Sequence, residues 1–220
     1  MFRTADAILR SPLPLRPDGS TARGLLAYLP HILAFGLLYG AAMGTFSGFT
    51  GERMLQVVYS GVKVPLLLLV TFFIALPSFF VLNTLMGLRA DFTYVLRALM
   101  ATQAGLTIVL CSLFPLTLLW YRSSDNYNAA ILFNALMFAV ASIAAQGLMR
   151  RYYRPLIARS ARHRTMLRAW LLIYAFVGIQ MGWVLRPFIG DPTGPTEFFR
   201  QGAWGNAYIQ IIHIATRAVK

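Results

Sequence analysis

Acidic side chains are scarce in this sequence. Seven of its 220 residues are Asp or Glu, against 20 Lys and Arg, and only 12% of the chain is charged. An ordinary soluble domain is about 25% charged, which lets it turn polar groups to water on every side. A chain that is 58% hydrophobic has no such cover, so lipid must be the solvent for much of it. Lysine is nearly missing as well: apart from Lys63 and Lys220, every cation is an arginine. Cysteine is reduced to Cys111, which lies in an apolar run. That excludes an intramolecular disulfide and a thiolate metal set, and leaves a small buried hydrophobe.

The missing acids also remove most membrane chemistry. All seven fall outside the apolar runs, so the paired carboxylates of CDP-alcohol transferases and intramembrane metalloproteases are absent. Ser47 in GTFSG has no His in a later span to activate it, and phosphatase-type His and Arg motifs are not found. With no ionisable residue at mid-bilayer, ion or proton coupling has no carrier. Catalytic and metal-binding residues are therefore not expected.

Five windows free of charge are present instead: Arg23 to Glu52, Lys63 to Arg89, Arg97 to Arg122, Asp125 to Arg150 and Arg168 to Arg186. About 20 apolar residues suffice to cross a bilayer as a helix. The fifth window holds 17, with an arginine at each end able to snorkel to the headgroups. The expected fold is all-α, a polytopic bundle with spans near 25–47, 64–87, 98–120, 128–149 and 168–187. Residues 1–23 form an N-terminal segment, 24–187 the transmembrane domain, and 188–220 a tail. The first 23 residues hold Arg3, Arg10, Arg16 and Arg23 but no apolar core, so they do not read as a cleavable signal. Pro77 and Pro115 should kink the second and third spans.

Orientation follows from the cations. With the N-terminus inside, the cytoplasm receives 13 of the 20: four from residues 1–23, then Arg89, Arg97 and the seven of 150–168. The positive-inside rule thus places the N-terminus in the cytoplasm and the C-terminus outside. Tyr59, Trp120, Tyr121, Tyr127, Tyr152, Tyr153, Trp170 and Trp183 fall where a headgroup belt would lie.

Several features suggest contacts. Gly36, Gly40, Gly44 and Gly48 recur every fourth residue and should open a groove for a second helix backbone. The segment 150–168, read as a basic cytoplasmic loop, carries Arg150, Arg151, Arg154, Arg159, Arg162, Arg164 and Arg168 with no acid. It should attract anionic lipid or an acidic partner. Nucleic acid is not expected, because no base-stacking or zinc-binding module accompanies the charge. His31 and His213 are the cofactor candidates, since a lone membrane imidazole can hold haem or a pigment. Each stands alone, so no cofactor is predicted beyond bound lipid. Asn83, Gln103, Asn134, Gln146 and Gln180 place amides inside the spans, either as interhelical bonds or as a polar path. Arg186 complements the helix dipole at the end of the fifth span and can reach Asp191.

The tail opens with GDPTGP, a fixed turn, and a short helix is expected from Thr196 to Arg200. Residues 207–219 are apolar but too short to span, and read as an interfacial helix. Phe188, Phe198, Phe199, Trp204 and Tyr208 are aromatic anchors that something must cover: lipid, the chain's own outer loops, or a partner.

The stretches LLYGAAMGTF (37–46), VKVPLLLLVTFFIALPSFFVLNTLMGLR (62–89) and YAFVGIQMGWVLRPFIGDP (174–192) resemble an uncharacterised family of bacterial multi-pass membrane proteins. That likeness implies the fold and a bacterial inner membrane, and supplies no activity. More loosely, the chain is similar to the five-span Yip family, but KVPLLLL at 63–69 stands where that family carries Asp-Leu-Tyr-Gly-Pro. The expected function is a non-catalytic accessory or scaffolding subunit of a membrane complex, paired with another membrane protein or a second copy. A small-solute transporter or channel is the alternative, and a lipid-acting enzyme the third.

Overall fold

The second to fifth uncharged windows are each filled almost entirely by one long helix, and the first mainly by a shorter one, because a backbone in lipid has no water to satisfy its N–H and C=O groups and must bond to itself. The computed structural model describes residues 2–10, 21–48, 51, 53–200 and 203–209. Two short helices, α1 (Phe2–Arg10) and α2 (Thr21–Leu26), lead into α3 (Leu29–Gly44) and a 3₁₀ turn at Thr45–Ser47. Then follow α4 (Arg53–Leu85), α5 (Phe92–Ser123), α6 (Tyr127–Arg159) and α7 (Arg162–Leu185). Five helices are long and apolar enough to cross a membrane, and no strand occurs among the described residues. The protein is an all-α, multi-pass membrane protein.

The helices outrun the spans expected for them. A helix of 33 residues, such as α4 or α6, is about 50 Å long, against a hydrocarbon core of about 30 Å. The expected loop at 150–168 is therefore mostly helix: α6 runs on to Arg159 and α7 begins at Arg162, leaving only Ser160 and Ala161 between them. Arginine is a good helix former, and Tyr152, Tyr153, Leu156, Met166 and Leu167 bury the inner face of this extension. Charge marks where lipid ends, not where a helix does. Likewise α4 starts at Arg53, so Lys63 lies three turns inside it. It also runs unbroken through Pro65 and Pro77, as α5 does through Pro115.

α4 packs on α3 and α7, while α5 packs on α3 and α6. The five spans thus form a curved row, α6–α5–α3–α4–α7, whose two ends α6 and α7 meet only lightly. At the end where α6 and α7 are joined, called here the basic face, Trp170 meets Phe79 and Phe72 edge-on at 4.9 and 5.8 Å. Tyr152, Tyr153 and Trp170 are thus core residues, not members of a headgroup belt. A second apolar cluster, around Tyr39, Met43, Val64, Leu110 and Ile189, lies toward the opposite end, the tail face.

The N-terminal segment is also built in. In α1, Ala5 and Ile8 are buried. The Ile8 carbonyl accepts from Tyr152 Oη, and the Leu9 carbonyl from Arg151 Nη2 at 2.6 Å.

A latched tail, a clasp at the basic face and a crevice as candidate functional sites

A polar stripe on α4 holds the tail. Arg53, Gln56, Ser60 and Lys63 follow at helical spacing of three, four and three residues, so they share one face. Arg53 Nη1 donates to the carbonyls of Asp191 (3.0 Å) and Gly194 (3.1 Å), and its Nη2 to Pro192 (2.6 Å). Gln56 Nε2 donates to Ser60 Oγ at 2.9 Å, and Ser60 Oγ in turn to the Phe188 carbonyl. Lys63, fully buried, donates to the Pro187 carbonyl at 2.7 Å and lies 4.9 Å from the centre of the Phe198 ring. The approach is tight, since a Cβ at Gly190 would lie 2.7 Å from Gln56 Cγ and from Ser47 Oγ.

The GDPTGP turn closes on itself. Asp191 Oδ1 accepts from the Thr193 N–H (2.9 Å) and hydroxyl (2.8 Å), and these bonds hold its carboxyl below the usual carboxylate range. Arg186 does not pair with Asp191; its guanidinium stacks on Trp183 at 3.3 Å. Residues 196–200 form no helix. The chain there carries Phe198 edge-on to Tyr59 at 5.2 Å. Beyond it the tail turns down α7, where Gln180 bonds Gly205 and Ala207, and Tyr208 stacks on Phe176 at 4.7 Å. Of the five aromatic anchors, Phe188, Phe198 and Tyr208 thus pack on the chain itself. Phe199 and Trp204 remain 42% and 81% exposed. Of the expected 207–219 helix, residues 207–209 are helical and the rest, His213 included, lies outside the described residues.

The glycine series packs within the chain. A Cβ on Gly40 would lie 2.9 Å from Gly61 Cα, and one on Gly44 would lie 2.6 Å from Val57 Cα. Gly36 rests on Pro65. Gly48 departs from the series: its φ of 112° ends the helical path, which only a residue without Cβ does at no steric cost. The seam is therefore Gly36, Gly40 and Gly44 of α3 against α4. In lipid such close backbone packing, more than apolar burial, holds helices together.

At the basic face, Asp91 clasps α6 and α7. Its Oδ2 meets buried His163 Nε2 at 3.1 Å and its Oδ1 meets Arg159 Nη1 at 3.6 Å. Sequence reasoning passed over both Asp91 and His163, which are 72 residues apart and share no local pattern. The seven arginines are sorted by this structure. Arg151 and Arg159 are engaged as described, and Arg162 Nη1 donates to the Met86 carbonyl at 3.2 Å. Arg150, Arg154 and Arg164 line an open hollow of about 400 Å³, and Arg168 is exposed.

Two cavities open along α6, the first of them in a crevice between α6 and α7. One, of about 460 Å³, is lined by Thr102, Gln103, Ser142, Gln146 and Tyr174 among apolar neighbours. Gln103 Oε1 accepts from Tyr174 at 3.1 Å, whereas buried Gln146 Oε1 has no partner among the described residues. The other, of about 370 Å³, lies at the tail face, and Phe138 lines both. Of the remaining amides, Asn134 joins Tyr39 and Tyr121, Gln180 holds the tail, and Asn83 donates to the Phe79 carbonyl while its buried Oδ1 has no partner among the described residues. His31 is buried, with Nδ1 3.2 Å from the Ala27 carbonyl. No cluster of three metal-ligating side chains occurs among the described residues.

No protein-family model, curated protein or solved structure matches this chain.

Proposed function

We propose that the protein is a non-catalytic accessory or scaffolding subunit of a membrane complex, set in a bacterial inner membrane with its basic face in the cytoplasm. The observation that carries this reading is the latched tail. Its backbone is fixed by three side chains of α4, Arg53, Ser60 and Lys63, yet Phe199 and Trp204, which touch each other at 5.8 Å between ring centres, remain exposed. A rigidly mounted aromatic pair at a membrane surface suits a protein contact, because large aromatics ordered in advance lose little entropy on binding. Arg150, Arg154 and Arg164 supply a second contact, for anionic lipid or an acidic partner, each worth about 1 kcal/mol near a charged surface.

Copurification in mild detergent tests the reading. A stoichiometric membrane partner that is lost from the Phe199→Ala/Trp204→Ala protein supports it. Retention at an unchanged ratio, or no partner at all, overturns it. The transporter or channel reading keeps one observation in its favour, the 460 Å³ cavity with Gln103 and the unpaired Gln146 oxygen inside the bilayer. Solute flux in vesicles that disappears with Gln146→Leu would support that reading instead.

A further inference from the structure

We propose that the tail-face cavity binds an anionic amphiphile, a hydrocarbon chain ending in a phosphate or carboxylate, with the anion on Arg186 and Arg200 and the chain lying along α6. The cavity of about 370 Å³ is lined by Met43, Leu67, Ile131, Phe138, Phe188 and Ile189 below, and by the two arginines at its mouth. That volume is in the range of small-ligand sites. Its depth fits a lipid chain. From Tyr127 to Phe138, both lining residues of α6, is eleven residues, roughly 16 Å of helix. Half of a hydrocarbon core of about 30 Å is close to the same length.

The polar groups in the wall are already paired. Asn134 bonds Tyr39, Tyr121 and the Ala130 carbonyl, and Tyr127 Oη donates to the Ile189 carbonyl at 3.3 Å. Unused bonding capacity is concentrated at the mouth. Arg186 Nε is buried without a hydrogen-bond partner among the described residues. The Arg200 N–H donates to the Arg186 carbonyl at 3.3 Å, which brings the two cations to one turn. Neither is in an ion pair among the described residues. Asp191, which feels Arg200, has one oxygen committed to Thr193 and Arg53 close by, and Glu197 is in no ion pair among the described residues. Burial and the neighbouring Arg200 both disfavour the charge on Arg186. Two like charges held together at the edge of an apolar cavity are relieved by an anion between them. Guanidinium groups suit phosphate and carboxylate by their planar fork, and the stack on Trp183 fixes one of them in place.

The test uses the full chain in nanodiscs containing phosphatidylcholine with either phosphatidylglycerol or oleate, read by native mass spectrometry after exchange into phosphatidylcholine alone. One anionic lipid should remain per wild-type protomer, and the arm that retains it identifies a phospholipid or a free fatty acid as the source. Arg186→Gln and Arg200→Gln should each lower retention about tenfold, the scale of one charged hydrogen bond. Ala135→Trp, which fills the cavity and keeps both cations, should do the same. Arg122→Gln, outside the lining, should not. Arg200 is exposed, so its variant keeps the fold and the test stands on it even where Arg186→Gln fails to insert. Equal retention of phosphatidylcholine by the wild type, or unchanged retention in Arg200→Gln, overturns the proposal.

Discussion

A buried ammonium costs several kcal/mol unless its protons find acceptors, and Lys63 has found a backbone carbonyl and an aromatic face. Replacing it with Met preserves the bulk and removes both. The Pro187 carbonyl then loses its donor, at a cost of about 1–3 kcal/mol, so Lys63→Met should loosen the tail while the spans stay inserted. Limited proteolysis checks this: cleavage between 187 and 200 should accelerate, and an unchanged rate would show that Arg53 and Ser60 hold the tail alone. Asp191 gives a pH signature to the same latch. Its folded carboxyl titrates below the ordinary value of about 3.9 because Thr193 bonds the ionised form. The stabilisation is therefore complete above that ordinary value and is lost as pH falls through the folded one. Thr193→Val should move the Asp191 titration, followed by NMR, upward toward the ordinary range. A titration that does not move would mean that the Thr193 hydroxyl contributes little.

Among the elements, the α3–α4 seam should respond most sharply to added volume. A methyl at Gly40 meets the backbone of Ser60 and Gly61, and backbone has little room to give. Gly40→Ala should cost about 1–3 kcal/mol by overpacking. Gly182→Ala on α7, where nothing lies within 4 Å, should be neutral or slightly stabilising. Thermal melts of the two proteins in detergent decide it, and equal melting temperatures would remove the seam's importance. At the other end, Asp91→Ala leaves the fully buried His163 without its carboxylate. Hydrogen exchange at 159–164 should rise several-fold, and protection equal to wild type would show that apolar packing alone joins α6 to α7. How far these elements were legible depends on which residues carried them. The spans were, because a run such as Lys63 to Arg89 has one physical solution in lipid. The α4 stripe is legible in principle from the spacing of Arg53, Gln56, Ser60 and Lys63, but Lys63 also bounds an uncharged window, and a charge at that place does not show that the helix continues beyond it. The buried face of α1, Ala5 with Ile8, repeats the same lesson on a short segment. The Asp91–His163 clasp and the α6–α7 crevice were not legible, since they depend on which helices become neighbours.

At the scale of the whole molecule, charge is divided between two ends. The basic face gathers Arg89, Arg97 and all seven arginines of 150–168, while the tail face holds Arg53, Lys63, Arg122, Arg186 and Arg200. Those at the tail face are partly spent on structure, since Arg53 and Lys63 bond tail carbonyls and Arg186 stacks on Trp183. What the insertion machinery reads is the count of cations near the span ends. By that count the basic face belongs in the cytoplasm. A cysteine scan in a Cys111→Ala background tests the assignment, because Cys111 is the one native thiol. Ser160→Cys, in the turn between α6 and α7, should resist a membrane-impermeant thiol reagent in intact cells and react after lysis. Thr193→Cys, in the tail turn, should react in intact cells. The reverse pattern would turn the molecule over, placing the latched tail and its exposed Phe199 and Trp204 in the cytoplasm. The partner they contact would then have to be sought on that side.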